Sequence, residues 1–252
     1  MSTTAATRYG FAQVARMEWI KLRSLRSVWW TLAITVAGAV GIATTVGLKT
    51  RNGHGDLTNN ALAGVSVGLL GLGVLGVLVI TGEFTSGAIR STFAVAPRRT
   101  LVLAAKAAVF GGMALAAGEL AAFIAFVAGT ATLPARITAP PLGQGAVFRA
   151  VALSGVGLCL VALLGLGLGT IVRHTGAAVG VLLGGVFAGT QIAGAISRAL
   201  LPYVPIGLVG GSLGAVQHQD GTIGPWPALG VLSLYAAVAL LVGGWLLARR
   251  DA

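Results

Sequence analysis

The chain has 252 residues, 56% of them hydrophobic and 9% charged, with a mean hydropathy of +0.91, which excludes a soluble domain, where about a quarter of residues carry charge. Its apolar segments are unbroken runs of about 20 residues, not the alternating stretches of about 10 that build a barrel, so an all-α polytopic membrane protein is expected. The formal net charge of +11 reads as membrane topology, because most basic residues flank the apolar runs, and no nucleic-acid partner is expected.

Met1 to Thr7 are small and polar and are expected to lack order. From Tyr9 to Ser27, Phe11, Val14, Leu22 and Leu25 approximate one helical stripe, while Arg8, Arg16, Lys21, Arg23 and Arg26 spread over the rest. That pattern predicts a basic helix on the inner leaflet, with its lysine and arginine heads reaching toward anionic lipid and Trp19 at headgroup level. No cleavable signal peptide is expected, since the first apolar run has spanning length.

Residues 1–27 are thus read as an N-terminal tail and interfacial helix, and 28–252 as one transmembrane domain. Its six expected spans cover about Val28 to Leu48, Ala61 to Ile80, Ala107 to Leu133, Ala150 to Val172, Ala177 to Ile196 and Trp226 to Ala248. One set of ends carries Arg8, Arg16, Lys21, Arg23, Arg26, Arg90, Arg98, Arg99, Lys106, Arg173, Arg249 and Arg250. The other carries only Lys49, Arg51, Arg136, Arg149 and Arg198. The imbalance puts both termini in the cytoplasm.

Gly82 to Lys106 is the main polar interruption, an elbow between the second and third spans. Phe84, Ala88 and Thr92 recur every four residues beside Ile89 and Phe93, which predicts a short amphipathic helix. Glu83 is expected in its first turn and Pro97 at its stop, with Arg98 and Arg99 just beyond. On the other side, Pro202 and Pro205 break the connection before the last span, and Ile206 to Val216 is expected to pack as a re-entrant or interfacial piece.

Glycines four apart, Gly64 with Gly68, Gly165 with Gly169, Gly176 with Gly180 and Gly184, and Gly185 with Gly189, predict close helix contacts. Gly71, Gly73 and Gly76 match G-x-G-x-x-G, but inside an apolar run and without the strand a dinucleotide site needs. The chain contains no G-x-x-x-x-G-K-[ST] phosphate loop and no H-E-x-x-H, so neither nucleotide binding nor catalysis is expected of it. His54, His174 and His218 fall in separate connections, and the single Cys159 lies in an apolar run, so no metal site is expected. Glu119 is the one acid inside a span, with Gln191 as a candidate polar neighbour; both are pathway candidates, and an interhelical hydrogen bond is the alternative role for Glu119.

The segments MEWIKLRS before the first span and GEFTSGAIRSTFAVAPRRTLVLAAK after the second, together with six spans and a partly apolar connection before the last, resemble the membrane subunits of ABC-2 type exporters of the bacterial plasma membrane. The resemblance extends over nearly the whole chain. It implies that the elbow is a coupling helix docking on a separate cytoplasmic ATPase subunit, a role that would fall on Glu83, Phe84, Gly87, Arg90, Pro97, Arg98 and Lys106. It also implies a homodimer or heterodimer of permeases, ATP bound only by the partner subunit, and export of a drug, peptide or lipid-like substrate, as in antibiotic resistance or immunity. The competing readings are a proton-coupled secondary transporter or channel using Glu119, and a non-transporting membrane anchor for a resistance or immunity ATPase.

Overall fold

The computed structural model describes residues 10–51, 55–95, 98–217 and 222–249, and every regular element among them is helical. The expected disordered tail, Arg8, His54, Pro97, His218 and Arg250 lie outside the described residues. Helix α1 (Phe11–Ser24) meets α2 (Arg26–Lys49) at Leu25, whose extended backbone (φ −81°, ψ 106°) separates the two. A short α3 (Leu57–Ala61) precedes α4 (Val65–Thr85), and α5 (Ala88–Val95) lies between α4 and α6 (Arg99–Ala131). Then come α7 (Gly145–Val172), α8 (Thr175–Gly180), a π-helix (Val181–Gly189) and α9 (Thr190–Ile196). The chain continues through a 3-10 helix (Arg198–Tyr203) and a second π-helix (Gly207–Leu213) into α10 (Pro225–Arg249).

Six of these helical stretches are long and apolar enough to cross a membrane: α2, α4, α6, α7, the continuous stretch Thr175–Ile196, and α10. The chain is a multi-pass helical membrane protein. Several span edges differ from the sequence expectation, and span two ends at Thr85 rather than Ile80. Span two starts at Val65 rather than Ala61, because Asp56 caps α3 through the Asn59 amide (3.0 Å) and α3 occupies the residues before it. Span four starts at Gly145 rather than Ala150.

The start of the third span matters most. Helix α6 starts at Arg99 rather than Ala107, so Arg99 to Lys106 is helix, not loop. At 33 residues it is about 50 Å long, well beyond a hydrocarbon core of about 30 Å. Hydropathy misses that extension because its polar side chains find partners in the protein, and a helix continues wherever its side chains are satisfied.

Helix α7 is the hub: 72% of its apolar window is buried, against 18% for Thr175–Ile196 at the margin. It packs on α4, α6 and α10. Against α4 the backbones almost touch. A Cβ added at Gly165 would fall 2.1 Å from the Gly73 carbonyl oxygen, and one at Gly76 would fall 2.0 Å from that of Ala162. The G-x-G-x-x-G glycines are therefore packing positions within α4. By contrast, Gly180 and Gly184 have nothing within 4 Å of an added Cβ, so among the described residues these two glycines meet no neighbouring helix.

Two arginines close the last turn of α10. Arg99 of α6 donates to the Leu247 carbonyl and Arg173, after α7, to that of Leu246, both at 3.3 Å. These carbonyls belong to the final four of the helix, which have no intrahelical donor and carry the negative end of its dipole. The end of the bundle holding α1, the elbow and the last turn of α10 is called the elbow end below. At the far end, the second π-helix buries Leu208, Val209 and Leu213 against α7 and α10.

Candidate functional site

At the elbow end, Val14, Glu18 and Leu22 recur every four residues and form the buried face of α1. Val14 packs on Val102 and Ala105 of α6, which sets Glu18, one turn further along α1, against Lys106. The stripe is therefore centred on an acid, and Phe11 and Leu25, expected on it, are exposed.

Glu18, Lys21, Glu83 and Lys106 close a ring of ion pairs. One oxygen of Glu18 accepts from Lys21 at 3.0 Å and the other from Lys106; Oε1 of Glu83 accepts from Lys106 at 2.8 Å and from Lys21 at 3.2 Å. Lys21 also donates to the hydroxyl of Thr92 on α5 at 2.9 Å. The ring thus ties α1, the last turn of α4, α5 and the second turn of α6 together, with equal numbers of acids and bases. Glu18 is fully buried and Lys106 is 1% exposed. A buried charge is expensive unless paired, and here each has opposite charges as partners.

Burial opposes the charge on Lys21, yet Glu83 and Glu18 together outweigh it and raise its pKa above the ordinary 10.5. Lys21 therefore points inward to the ring rather than out to anionic lipid, which corrects the sequence expectation. Oε2 of Glu83 is buried without a hydrogen-bond partner, beside a cavity of about 430 Å³ that the ring residues help to line.

The elbow residues separate into two groups. Glu83 belongs to the last turn of α4, not the first turn of α5, which begins at Ala88. There its charge opposes the helix dipole, and the two lysines compensate. Lys106 is likewise internal. Gly87 makes the turn between α4 and α5 with φ +72°, a conformation that strains any residue with a Cβ. Phe84 is half-buried under the Arg173 guanidinium, 5.3 Å from its ring centre. Arg90 and Arg98 are exposed, while α5 buries Ile89 and Thr92. Pro97 lies outside the described residues.

The two pathway candidates are not brought together. Glu119 faces a groove of about 580 Å³ between α6 and α7, beside Phe123 and Phe148. Gly155 makes room for its carboxylate, since an added Cβ would fall 2.5 Å from Glu119 Cδ. Gln191 is exposed on α9, which packs on the neighbouring π-helix and the 3-10 helix, and it does not line that groove. A second, almost wholly apolar groove of about 1060 Å³ runs along α1, α2 and α6 from Trp19 to Leu120, and shares Ala116 and Leu120 with the Glu119 groove.

His174 accepts the Ala177 amide at the start of α8, a capping role. Cys159 donates from α7 to the Gly111 carbonyl of α6 at 3.3 Å. Among the described residues, no three His, Cys, Asp or Glu side chains converge as a metal site would require.

Sequence reasoning named Glu83 and Lys106 but missed Glu18 and Lys21 as their partners. The available signal was an acid at the middle of the Val14 to Leu22 repeat, where a water-facing or lipid-facing charge would not sit. Compared with known families and with curated proteins, the chain matches none.

Proposed function

We propose that the chain is the permease subunit of an ABC-2 type exporter, driven by a separate cytoplasmic ATPase that docks on the elbow. The observation that carries this reading is the ion-pair ring, because it joins the short helix α5 to α1, α4 and α6. A push on α5 would move those helices as one body rather than bend a loop. The exposed Arg90 and Arg98 are the docking residues in this reading. Glu83 and Lys106 become the brace behind them, a change from the contact role the resemblance implied.

The groove along α1, α2 and α6 supports a lipophilic or amphipathic cargo. It is apolar along its length, with Arg16 and Trp19 at the elbow end. The working unit would be two permeases with two ATPases in a plasma membrane, with the elbow end cytoplasmic. Close helix packing has discrete arrangements rather than a continuum, so a shift at the elbow would switch access from one face to the other.

Co-expression with a phosphate-loop ATPase encoded beside this chain tests the reading. The ATPase is expected to co-purify with the wild-type chain and to be lost with Arg90→Ala combined with Arg98→Ala, while membrane insertion persists. A chain that transports without any ATPase would instead favour a proton-coupled carrier. The observation supporting that second reading is Glu119, an acid facing a groove without an ion-pair partner among the described residues.

A further inference from the structure

At the far end of the bundle a small polar chamber lies between the start of α7, the second π-helix and the start of α10, apart from both grooves. Its volume is about 90 Å³, room for a few waters or one carboxylate or phosphate group, and too little for a drug or peptide. Arg149 of α7 and Ser212 of the π-helix both line it. The Ser212 residue is 4% exposed, and its hydroxyl is buried without a hydrogen-bond partner; so is Nε of Arg149.

Orphaned buried donors are uncommon and point to something that fills the space between them. Among the described residues, the only charged side chain lining this chamber is a cation, which selects an anion over a neutral solute. The nearby acid is already engaged. Asp56 accepts the Asn59 amide with Oδ1 and the Val216 and Gln217 amides with Oδ2, which fixes the wall of the chamber. The first turn of α10 borders the space and contains no acidic residue, so its positive dipole end is unopposed.

We propose that this chamber binds a small oxyanion, a carboxylate or phosphate group, between the Arg149 guanidinium and the Ser212 hydroxyl. The site is independent of the ATPase reading, because it uses none of the elbow residues. An anion there would link α7, the hub of the bundle, to the connection that precedes α10. Its source is either a free solute or a lipid headgroup, and the chemistry at the protein is the same.

The test is thermal unfolding of the full-length protein with inorganic phosphate at constant ionic strength, in lipid-free detergent and in phosphatidylglycerol nanodiscs. Phosphate is expected to raise the unfolding temperature of the wild type in detergent if the site takes solutes. A Tm difference between wild type and Arg149→Gln that appears only in the nanodiscs would identify a headgroup. Arg149→Gln is expected to weaken the response about tenfold or more, as for a lost charge-assisted hydrogen bond. Ser212→Ala should also weaken it, yet leave the phosphate-free protein as stable as the wild type or slightly more so, because an unsatisfied hydroxyl is removed. A purely structural serine would show the opposite sign.

Equal responses of wild type, Arg149→Gln and Ser212→Ala in both media would mean a chamber filled by water alone, and would overturn the proposal.

Discussion

At the elbow end, Glu18, Lys21, Glu83 and Lys106 bring their charges out of water and close them into a ring. At the far end, Arg149 and Ser212 keep buried polar atoms without a partner. The difference teaches where each end gets its specificity. The ring pairs all four of its charges within the chain, with only Oε2 of Glu83 left without a hydrogen-bond partner, so it suits a part that must transmit force without changing. The chamber is incomplete without an added group, so it suits a part that responds to one. Removing a ring member should therefore destabilise the free protein, whereas removing Arg149 should be felt only when an anion is supplied.

The largest effect is expected at Lys106. Lys106→Met leaves the buried Glu18 with Lys21 alone, and breaking a buried pair from one side costs about 3–5 kcal/mol. Thermal unfolding in detergent checks this. Combining it with Glu18→Leu should recover much of the loss, since an apolar pair of similar volume replaces a buried ion pair at little cost. Full additivity of the two changes would show that the residues do not interact.

Gly165→Ala comes next and separates charge from packing. Its new Cβ would press on the Gly73 carbonyl, so α4 and α7 must part, at a cost of about 1–3 kcal/mol. The loss should not vary with salt or pH.

Lys21→Ala should cost less than Lys106→Met, because its side chain is 30% exposed and its pairs are partly screened. The sign of its pH dependence follows from the raised pKa. The folded state holds the Lys21 proton more tightly than the unfolded chain, so its contribution is complete below the ordinary value of 10.5 and is lost as pH rises through the higher folded value. The stability gap between wild type and Lys21→Ala should be constant from about pH 7 to pH 9 and close only in stronger alkali.

The smallest effect is expected at Glu119. Glu119→Gln should change stability by no more than about 0.5 kcal/mol, because no ion pair or hydrogen bond holds the carboxylate among the described residues. A large loss of transport in this variant, measured with and without a proton gradient, would move the mechanism from the elbow to the middle of the membrane.

The spans were legible because their signal is local: a long apolar run has to be a helix in lipid. Val28 to Leu48 and Trp226 to Ala248 fall within one or two residues of α2 and α10 on that basis alone. The elbow was legible as an interruption but not as a structure. Glu83 read as a first-turn charge of the elbow helix and Lys106 as a charge beyond its end because hydropathy treats each residue by itself, while their place in helices α4 and α6 depends on Glu18 and Lys21, more than 60 residues away along the chain. The glycine pattern shows the same limit. Gly165 and Gly180 occupy similar four-residue repeats, yet only the first meets another backbone, and nothing in the spacing distinguishes them. The far-end chamber was illegible altogether, since it is assembled by three segments that sequence places in separate connections and spans.

The most direct test is retention of a co-expressed phosphate-loop ATPase through affinity purification of this chain, comparing the wild type with Arg90→Glu. The substitution reverses an exposed charge on α5 and leaves the ring intact. The expected result is an ATPase that stays with the wild type and is lost from Arg90→Glu at unchanged thermal stability. Equal retention by both, or retention by neither, would contradict a force-receiving elbow.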